Sequence, residues 1–372
     1  MLSGRRVSAF ALATATLYLL WVTTDVAPQK ISLPRWRSDQ HAALPCQSLP
    51  GINDTLIIFR TGSNELDDRF AIHLSTTLRC FPNHLIFSDH EEIYHGEHIM
   101  DALADVDPFI QANNPDFELY RRLRQGGRVS LDRSELAGPP DTFASMSGKT
   151  ENPSWKLDKW KFLPMINRTL RERPDMKWYV FVEADSFILV SMLRQYLAMQ
   201  DPAQLFYAGS QTFVAGDEFA HGGSGFVVSQ PAMRKVVNHY LAQKSDIERF
   251  TNRHWCGDCV LGKVFTDSGV PLINTRPAFQ GDDPGLLPYP QADTHSMPDE
   301  SVRMLCHPAL SYHHMSPAMI DGLWHFEQSW MAEHNTVSGQ LCMVEAFVLT
   351  ENFRPPRLYD TGTYLPTMSY LR

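Results

Sequence analysis

The segment that decides the fold is residues 178–190, WYVFVEADSFILV. Its first five residues are aromatic or β-branched without interruption, which is typical of a strand covered on both faces of an α/β sheet. Two carboxylates, Glu183 and Asp185, come directly after this run. Because α/β proteins bind ligands beyond the carboxyl ends of their strands, this position predicts a ligand site. The alternative for an isolated E-x-D pattern is a strand that simply ends in solvent.

Further apolar runs predict strands at residues 55–60, 84–88 and 205–209, in addition to 178–182. Helical spacing of apolar residues predicts helices at 67–79 and 155–173. Strands that alternate with helices predict a mostly parallel sheet with flanking helices, in one domain. We expect residues 101–152 to form an insertion that departs from the scaffold of alternating strands and helices. The loop-rich part after residue 271 should form the rim of a pocket.

Composition narrows the class of protein. The chain has 372 residues, of which 43% are hydrophobic and 11% aromatic, so it can bury a substantial core. The formal net charge is -9 and the pI is near 5.9. Without a long basic stripe to offset this charge, nucleic acid is excluded as the main partner.

The N-terminus predicts a membrane anchor. Residues 7–23 carry no charge and follow Arg5 and Arg6, and a helix needs roughly 17 to 25 such residues to span a bilayer. We therefore predict a cytoplasmic tail at 1–6, a transmembrane signal anchor at 7–24, a stem at 25–50 and a lumenal domain at 51–372. These segments predict a single-pass type II protein of the Golgi or ER membrane. A cleaved signal peptide is the alternative.

Six cysteines in an oxidising lumen predict disulfides, although the pairing cannot be deduced from the sequence. Cys256 and Cys259 form a C-x-x-C pattern. The carboxylate between them and the lack of a helix start after them weaken a redox interpretation. Asn53 and Asn167 begin N-glycosylation sequons.

Three more segments carry candidate chemistry. Glycines 222, 223 and 225 precede a strand and allow close approach to a ligand, although tight-turn geometry alone can explain them. The pair His313 and His314 could ligate a metal, and Asp258 could act as a base. Together with the strand-end carboxylates, a histidine suits Mn²⁺ or a similar divalent ion beside a diphosphate.

These segments resemble glycosyltransferase family 31, the inverting β1,3-glycosyltransferases that include the core 1 galactosyltransferases and Fringe. The resemblance runs from about residue 55 to residue 330. TGSNELDDRFAIHLSTTLRC and NHLIFSD are similar to the family's opening strand, helix and second strand, and WKLDKWKFLPM is similar to the helix before its metal motif. EADSF stands where the family has D-D-D-T-Y, and GGSGFVVS is close to G-G-A-G-Y-V-L-S. DCVLG resembles the D-C-x-x-G of Fringe, and SYH is similar to the family's S-F-H.

The resemblance implies a GT-A-like, Rossmann-like fold, a UDP-sugar donor and Mn²⁺ or another divalent cation. It places the catalytic base at Asp258 and the metal ligands at Asp185 and His313, with His314 as the alternative to His313. Glu218 is the next candidate for the base. Donor-binding roles fall on Thr61, Gly62, Asp89, Lys159, Glu183, Asp185, Gly222 and Gly223.

The predicted function is transfer of a hexose, with galactose favoured, to a glycan or glycoprotein hydroxyl in a β1,3 linkage. The membrane is a partner through the anchor, and a homodimer is left open. The main alternative is a lumenal binding protein or chaperone that kept the fold and lost catalysis. A thiol oxidoreductase built on Cys256 and Cys259 is the third possibility.

Overall fold

The computed structural model describes residues 44–137, 152–214, 216–284 and 307–334. The predicted tail, the anchor and most of the stem lie outside these residues. Within the described ranges, no helix is both long and apolar enough to cross a bilayer.

The strands are short and mostly buried. They are β1 (Thr55–Arg60), β2 (His84–Ser88), β3 (Glu92–Tyr94), β4 (Glu97–Asp101), β5 (Trp178–Glu183), β6 (Phe187–Ile188), β7 (Tyr207–Gly209), β8 (Gln211–Val214), β9 (Asp217–Ala220), β10 (Phe226–Ser229), β11 (Ile273–Asn274) and β12 (Ser311–Tyr312). In the described part of the chain, eight of them form one sheet in the order β11-β7-β10-β5-β1-β2-β4-β3. β1 pairs parallel with both β2 and β5. The strands predicted at 55–60 and 84–88 are confirmed.

Two strands of this sheet run against the others, β3 at one edge and β10 between β5 and β7. Because β10 is antiparallel to β5, its first residue, Phe226, pairs with Phe181 near the carboxyl end of β5. The glycine turn that precedes β10 therefore lies at the same edge as Glu183. The architecture is mixed α/β with a large, mostly parallel sheet, as predicted, and it is consistent with a GT-A-like fold.

Helices cover this sheet. The α-helices are α1 (Ala71–Ser75), α2 (Pro108–Asn113), α3 (Glu118–Gly126), α4 (Pro153–Glu172), α5 (Val190–Ala198), α6 (Gln230–Ala242), α7 (Lys244–Arg253), α8 (Gly257–Asp267) and α9 (Pro317–His334). Short 3₁₀ turns occupy Pro45–Ser48, Ile52–Asp54, Thr77–Cys80, Pro115–Phe117, Gly127–Ser130 and Arg133–Glu135. The main core lies where α4, α6 and α8 pack on the sheet, and it includes Phe162, Phe181, Val236 and Leu261. Burial of such apolar surface is the main stabilising term of the fold.

The helix predicted at residues 67–79 is not continuous. The chain forms a π-helix at Leu66–Phe70, then α1, then the 3₁₀ turn at Thr77–Cys80. The break falls at Thr76, whose hydroxyl donates to the carbonyl of Ile72 at 2.8 Å. Ser75 donates to the same carbonyl at 3.1 Å. Hydroxyl side chains that bond to the backbone in this way compete with the helical ladder.

Two disulfides are present among the described residues, Cys46–Cys80 and Cys256–Cys259. Cys306 and Cys342 lie outside the described residues. The prediction that no helix starts after the C-x-x-C pattern is wrong, because α8 begins at Gly257. No Ser, Thr, Asn or Asp stands at the N-cap to accept a hydrogen bond from the amides of the first turn. Instead Cys256 occupies the cap, and the amide of Cys259 donates to the Asp258 carboxylate at 3.1 Å.

The Cys46–Cys80 bridge should be a large contributor to stability. It closes a loop with a sequence separation of 34 residues that contains β1. Loop closure of this size lowers the entropy of the unfolded chain by an amount worth about 2 to 4 kcal/mol. We expect the double variant Cys46→Ala, Cys80→Ala to lose that much unfolding free energy in urea denaturation. An unchanged urea midpoint would show that the bridge does not constrain the unfolded chain.

The two sequons differ in accessibility. Asn53 is exposed, whereas Asn167 is 5% exposed and its amide donates to Asp105 at 3.3 Å. Attachment of a glycan requires an accessible amide nitrogen. The fold therefore favours Asn53 over Asn167 as a glycan acceptor.

Candidate functional site

A cleft of about 430 Å³ opens at the carboxyl edge of the sheet, where β1 ends in Arg60 and β5 ends in Glu183. This is the edge at which the sequence predicts a ligand site. Asp185, Gly223, Asp258, His313 and most of the other predicted site residues line it.

The cleft also holds a group of side chains that could bind a metal ion, called the metal-ligating group below. Candidate ligand atoms of Asp185, His313 and His314 all fall within 4.8 Å of one another. The group forms because β6, just after Asp185, pairs antiparallel with β12, just before His313. The amide of Met315 also donates to the Asp185 carbonyl at 2.8 Å. Both histidines lie close enough to Asp185 to share a metal site, so the choice between His313 and His314 stays a prediction.

Ion pairs hold the carboxylate of this group in its charged form. Burial would raise the pKa of Asp185, but His313 and Arg69 outweigh it and hold that pKa well below its usual range. Burial would likewise lower the pKa of His313, yet the carboxylates of Asp185 and Glu183 raise it to about 9. Asp185 lies 3.3 Å from His313 Nε2 and 2.9 Å from Arg69 Nη1. In the absence of a metal, these two cations neutralise the carboxylate.

His314 carries two signs of a functional constraint. Its φ of 56° places this non-glycine residue in the left-handed region of backbone conformation. Such a conformation costs about 1 to 3 kcal/mol of folding free energy and is found mainly at functional sites. Its Nδ1 is buried and has no hydrogen-bond partner. An oxygen and two nitrogen donors, one of them unsatisfied, fit Mn²⁺ or a similar divalent ion.

The glycine turn contacts both halves of the site. A Cβ on Gly223 would lie 2.2 Å from the His313 ring, so no side chain fits there. A Cβ on Gly222 would lie 3.1 Å from Glu183 and 3.4 Å from Asp258. Close approach, and not only turn geometry, therefore explains these two glycines. The positive φ of 79° in this turn belongs to Gly225.

Asp258 projects from the first turn of α8 into the same cleft. The amide of Gly222 donates to its Oδ2 at 2.9 Å, and the amide of Cys259 donates to its Oδ1 at 3.1 Å. Burial raises the pKa of the Asp258 carboxyl to about 6, although the Gly222 amide and Arg60 lower it. A fixed carboxylate with a pKa near neutrality is suited to accept a proton. Glu218 lies on β9, where Gln211 donates to it.

Arg60 links the acidic groups of the cleft floor. Its guanidinium forms ion pairs with Asp158 and Glu183 and lies 4.2 Å over the Phe162 ring. Glu183 Oε2 is 3.9 Å from His313 Nε2, farther than Asp185. Glu183 therefore pairs with arginine, next to the metal-ligating group and not within it.

The predicted donor-binding residues outside this floor occupy different environments. Gly62 and Lys159 line the cleft, and Lys159 forms an ion pair with Asp116 at 2.9 Å. Thr61 is 2% exposed, and its carbonyl accepts from Lys161 Nζ at 2.9 Å. Asp89 is fully buried, and its predicted role near the uracil of a bound donor stays a prediction.

A polar network holds Asp89 in place. Its carboxylate accepts from the Ser63 amide at 2.8 Å and from Ser154 Oγ at 3.2 Å. Lys161 Nζ lies 3.4 Å away. Asp89 thus fixes the loop after β1 and the start of α4, which together form one wall of the cleft.

Sequence reasoning missed several supporting residues. Arg60 and Arg69 lie close to the predicted carboxylates, and Arg60 could have been found as the charged end of a buried strand. His73 is fully buried, and its Nε2 donates to the carbonyl of Ala184 at 2.9 Å, between the two carboxylates. No pattern in the sequence indicates that contact.

The comparison with known families agrees with this geometry. The Fringe family model, described as Fringe-like, matches residues 156–321. This segment belongs to glycosyltransferase family 31. The match spans Glu183, Asp185, the glycine turn, Asp258 and His313, whereas Thr61, Gly62 and Asp89 precede it. The family 31 resemblance is confirmed, and it supports glycosyltransferase activity.

Proposed function

We propose that this protein is a metal-dependent, inverting glycosyltransferase that uses a UDP-sugar. The observation that supports it best is the arrangement within one Fringe-like cleft: Asp258, with a pKa of about 6, faces the same space as the group Asp185, His313 and His314. A base on one side and a cation site on the other are what a single displacement at a sugar carbon requires.

The residues would divide the work as follows. Asp185, His313 and His314 would hold Mn²⁺ or a similar ion, which supplies positive charge to stabilise the leaving diphosphate. Asp258 would take the proton of the acceptor hydroxyl onto a carboxylate oxygen. The two backbone amides that bond this carboxylate keep it oriented without protonating it. As the proton leaves, the hydroxyl oxygen would attack the anomeric carbon on the face opposite the diphosphate. The bond from that carbon to the diphosphate oxygen would break, UDP would leave, and the configuration would invert.

Arg60 would tune this base. It pairs with Asp158 and Glu183, so the cleft floor is less negative than its three carboxylates suggest. Without the arginine, the neighbouring carboxylates would raise the pKa of Asp258 further, as like charges do. We further propose galactose as the donor sugar, a β1,3 linkage, and a Golgi location with an N-terminal anchor.

A donor screen tests the proposal. The purified chain is incubated with a panel of UDP-hexoses and UDP-N-acetylhexosamines, with and without Mn²⁺, and released UDP is measured. We expect hydrolysis of one donor, and we expect it to stop when the metal is chelated. UDP binding without any turnover across the panel would instead favour the catalytically inactive binding protein.

A further inference from the structure

An exposed aromatic platform lines the same cleft as the metal-ligating group. Trp255 and Trp155 stack with ring centroids 6.3 Å apart and planes 16° from parallel. Both line the cleft, and Trp255 is 60% exposed. An indole that is backed by a second indole and still faces solvent is a rigid, preformed surface for a ligand.

The surroundings hold this platform next to the proposed base. Trp155 belongs to the first turn of α4, and Trp255 directly precedes the Cys256–Cys259 turn that carries Asp258. That turn packs tightly on α4, because a Cβ on Gly257 would lie 2.6 Å from the Lys159 Cα. Asp258 in turn accepts from Gly222, whose neighbour Gly223 abuts His313. Asp258 is thus connected to Trp255 through the disulfide turn and to His313 through the glycine turn.

The chemistry around the platform is amphipathic. Val214 adds apolar surface to the same cleft, and it packs against the cluster of Phe219, Cys256 and Cys259. Asp158 lies one turn after Trp155 on α4 and is 33% exposed, so it can accept a hydrogen bond from a ligand. A ligand for this surface needs a flat apolar face and hydroxyl groups at its edge.

We propose that Trp255, backed by Trp155, is the acceptor subsite and that the acceptor is a pyranose sugar. This inference rests on the proposed function. A pyranose has a face of C–H groups that can stack on an indole and hydroxyls at its rim, one of which would reach Asp258. The hydroxyl of a serine or threonine stands on a short stem that offers no ring face. The acceptor is therefore a glycan or a glycosylated peptide, and not an unmodified polypeptide.

Binding measurements test the subsite without turnover. Saturation-transfer NMR gives the affinity of the purified, UDP-saturated chain for methyl glycosides of galactose, glucose, N-acetylgalactosamine, N-acetylglucosamine, mannose and fucose. We expect at least one of these glycosides to bind. Trp255→Ala should weaken its affinity about tenfold, which is the size of a single aromatic stacking contact. Trp255→Phe should recover most of the affinity. Phe109→Ala is the matched control, because Phe109 is 74% exposed and lies on α2.

Acceptor kinetics provide the second readout. In transfer assays we expect Trp255→Ala to raise the acceptor KM about tenfold with a smaller change in kcat, since the ring binds the acceptor and does not move a proton. The proposal is overturned if no methyl glycoside binds, if Trp255→Ala binds as tightly as the wild type, or if an unglycosylated peptide is the better acceptor. Failure of the donor screen with intact glycoside binding would reject the proposed reaction and keep the sugar subsite.

Discussion

Asp258→Asn should reduce sugar transfer by about 10² to 10⁴, the usual effect of removing a general base. The amide side chain keeps the shape of the carboxylate but cannot take the acceptor proton. Binding of UDP with Mn²⁺ should persist, because Asp258 is not part of the group that Asp185 forms with His313 and His314. Transfer rates and calorimetric UDP binding are measured on the same preparation.

The matched control is Asp267→Asn at the other end of α8, where Asp267 pairs with Lys263 at 2.8 Å. It makes the same chemical change on the same helix, outside the cleft. If Asp258→Asn transfers sugar within about threefold of wild type, the base lies elsewhere, and Glu218 becomes the next candidate.

The pH profile offers an independent check of the same group. Burial raises the pKa of Asp258 to about 6, and a base is active only when it is deprotonated. At saturating Mn²⁺, the transfer rate should therefore rise as pH increases through about 6 and then level off. The slope below this value should approach tenfold per pH unit. A flat profile between pH 5 and pH 7 would argue against a carboxylate base with this environment.

Asp185→Asn should abolish Mn²⁺-dependent binding of UDP while leaving the domain folded. It removes the only charged ligand of the group that Asp185 forms with His313 and His314 in the described structure. The loss should exceed the roughly 10- to 100-fold effect of removing an outer-shell partner. Arg69 would keep a second carboxylate partner, Glu65, at 3.6 Å, so the variant does not leave the buried charge of Arg69 without a partner.

Calorimetric titration with UDP and Mn²⁺ measures this loss, and thermal unfolding checks the fold. Asp201→Asn is the control, since Asp201 is exposed and lies between α5 and β7. Unchanged affinity in Asp185→Asn would remove Asp185 from the metal site, even if the histidines still bind an ion.

Much of this arrangement could be predicted from short segments of sequence. β1, β2 and β5 consist of uninterrupted β-branched and aromatic residues, and parallel strands must release their C-terminal residues at one edge. Glu183 and Asp185 were placed at that edge for this reason alone. Asp258 and His313 are candidates by residue type and local pattern, but their specific roles as base and metal ligand rest on the family resemblance, since neither residue adjoins a predicted strand.

The parts that were not predicted depend on contacts between distant residues. The stacking of Trp155 on Trp255 joins residues about 100 positions apart. The glycines before β10 indicate a turn, but they do not show that β10 is inserted antiparallel between β5 and β7. The family resemblance implies a donor-binding role for Lys159, whereas Lys161 is the buried residue that reaches Thr61 and Asp89. Two residues apart on a helix, these lysines point to different faces, and only the packing of α4 shows which face meets the sheet.

The Cys46–Cys80 bridge also determines how the domain would bear a mechanical load. Cys46 precedes β1 and Cys80 precedes β2, and these parallel strands are neighbours in the sheet. A pulling force applied to the chain ahead of Cys46 would reach both strands at their N-terminal ends. The hydrogen bonds of the two strands to β5 and β4 would then resist in shear, all at once. Single-molecule stretching should show a high unfolding force that falls when the bridge is reduced and β1 is peeled away alone.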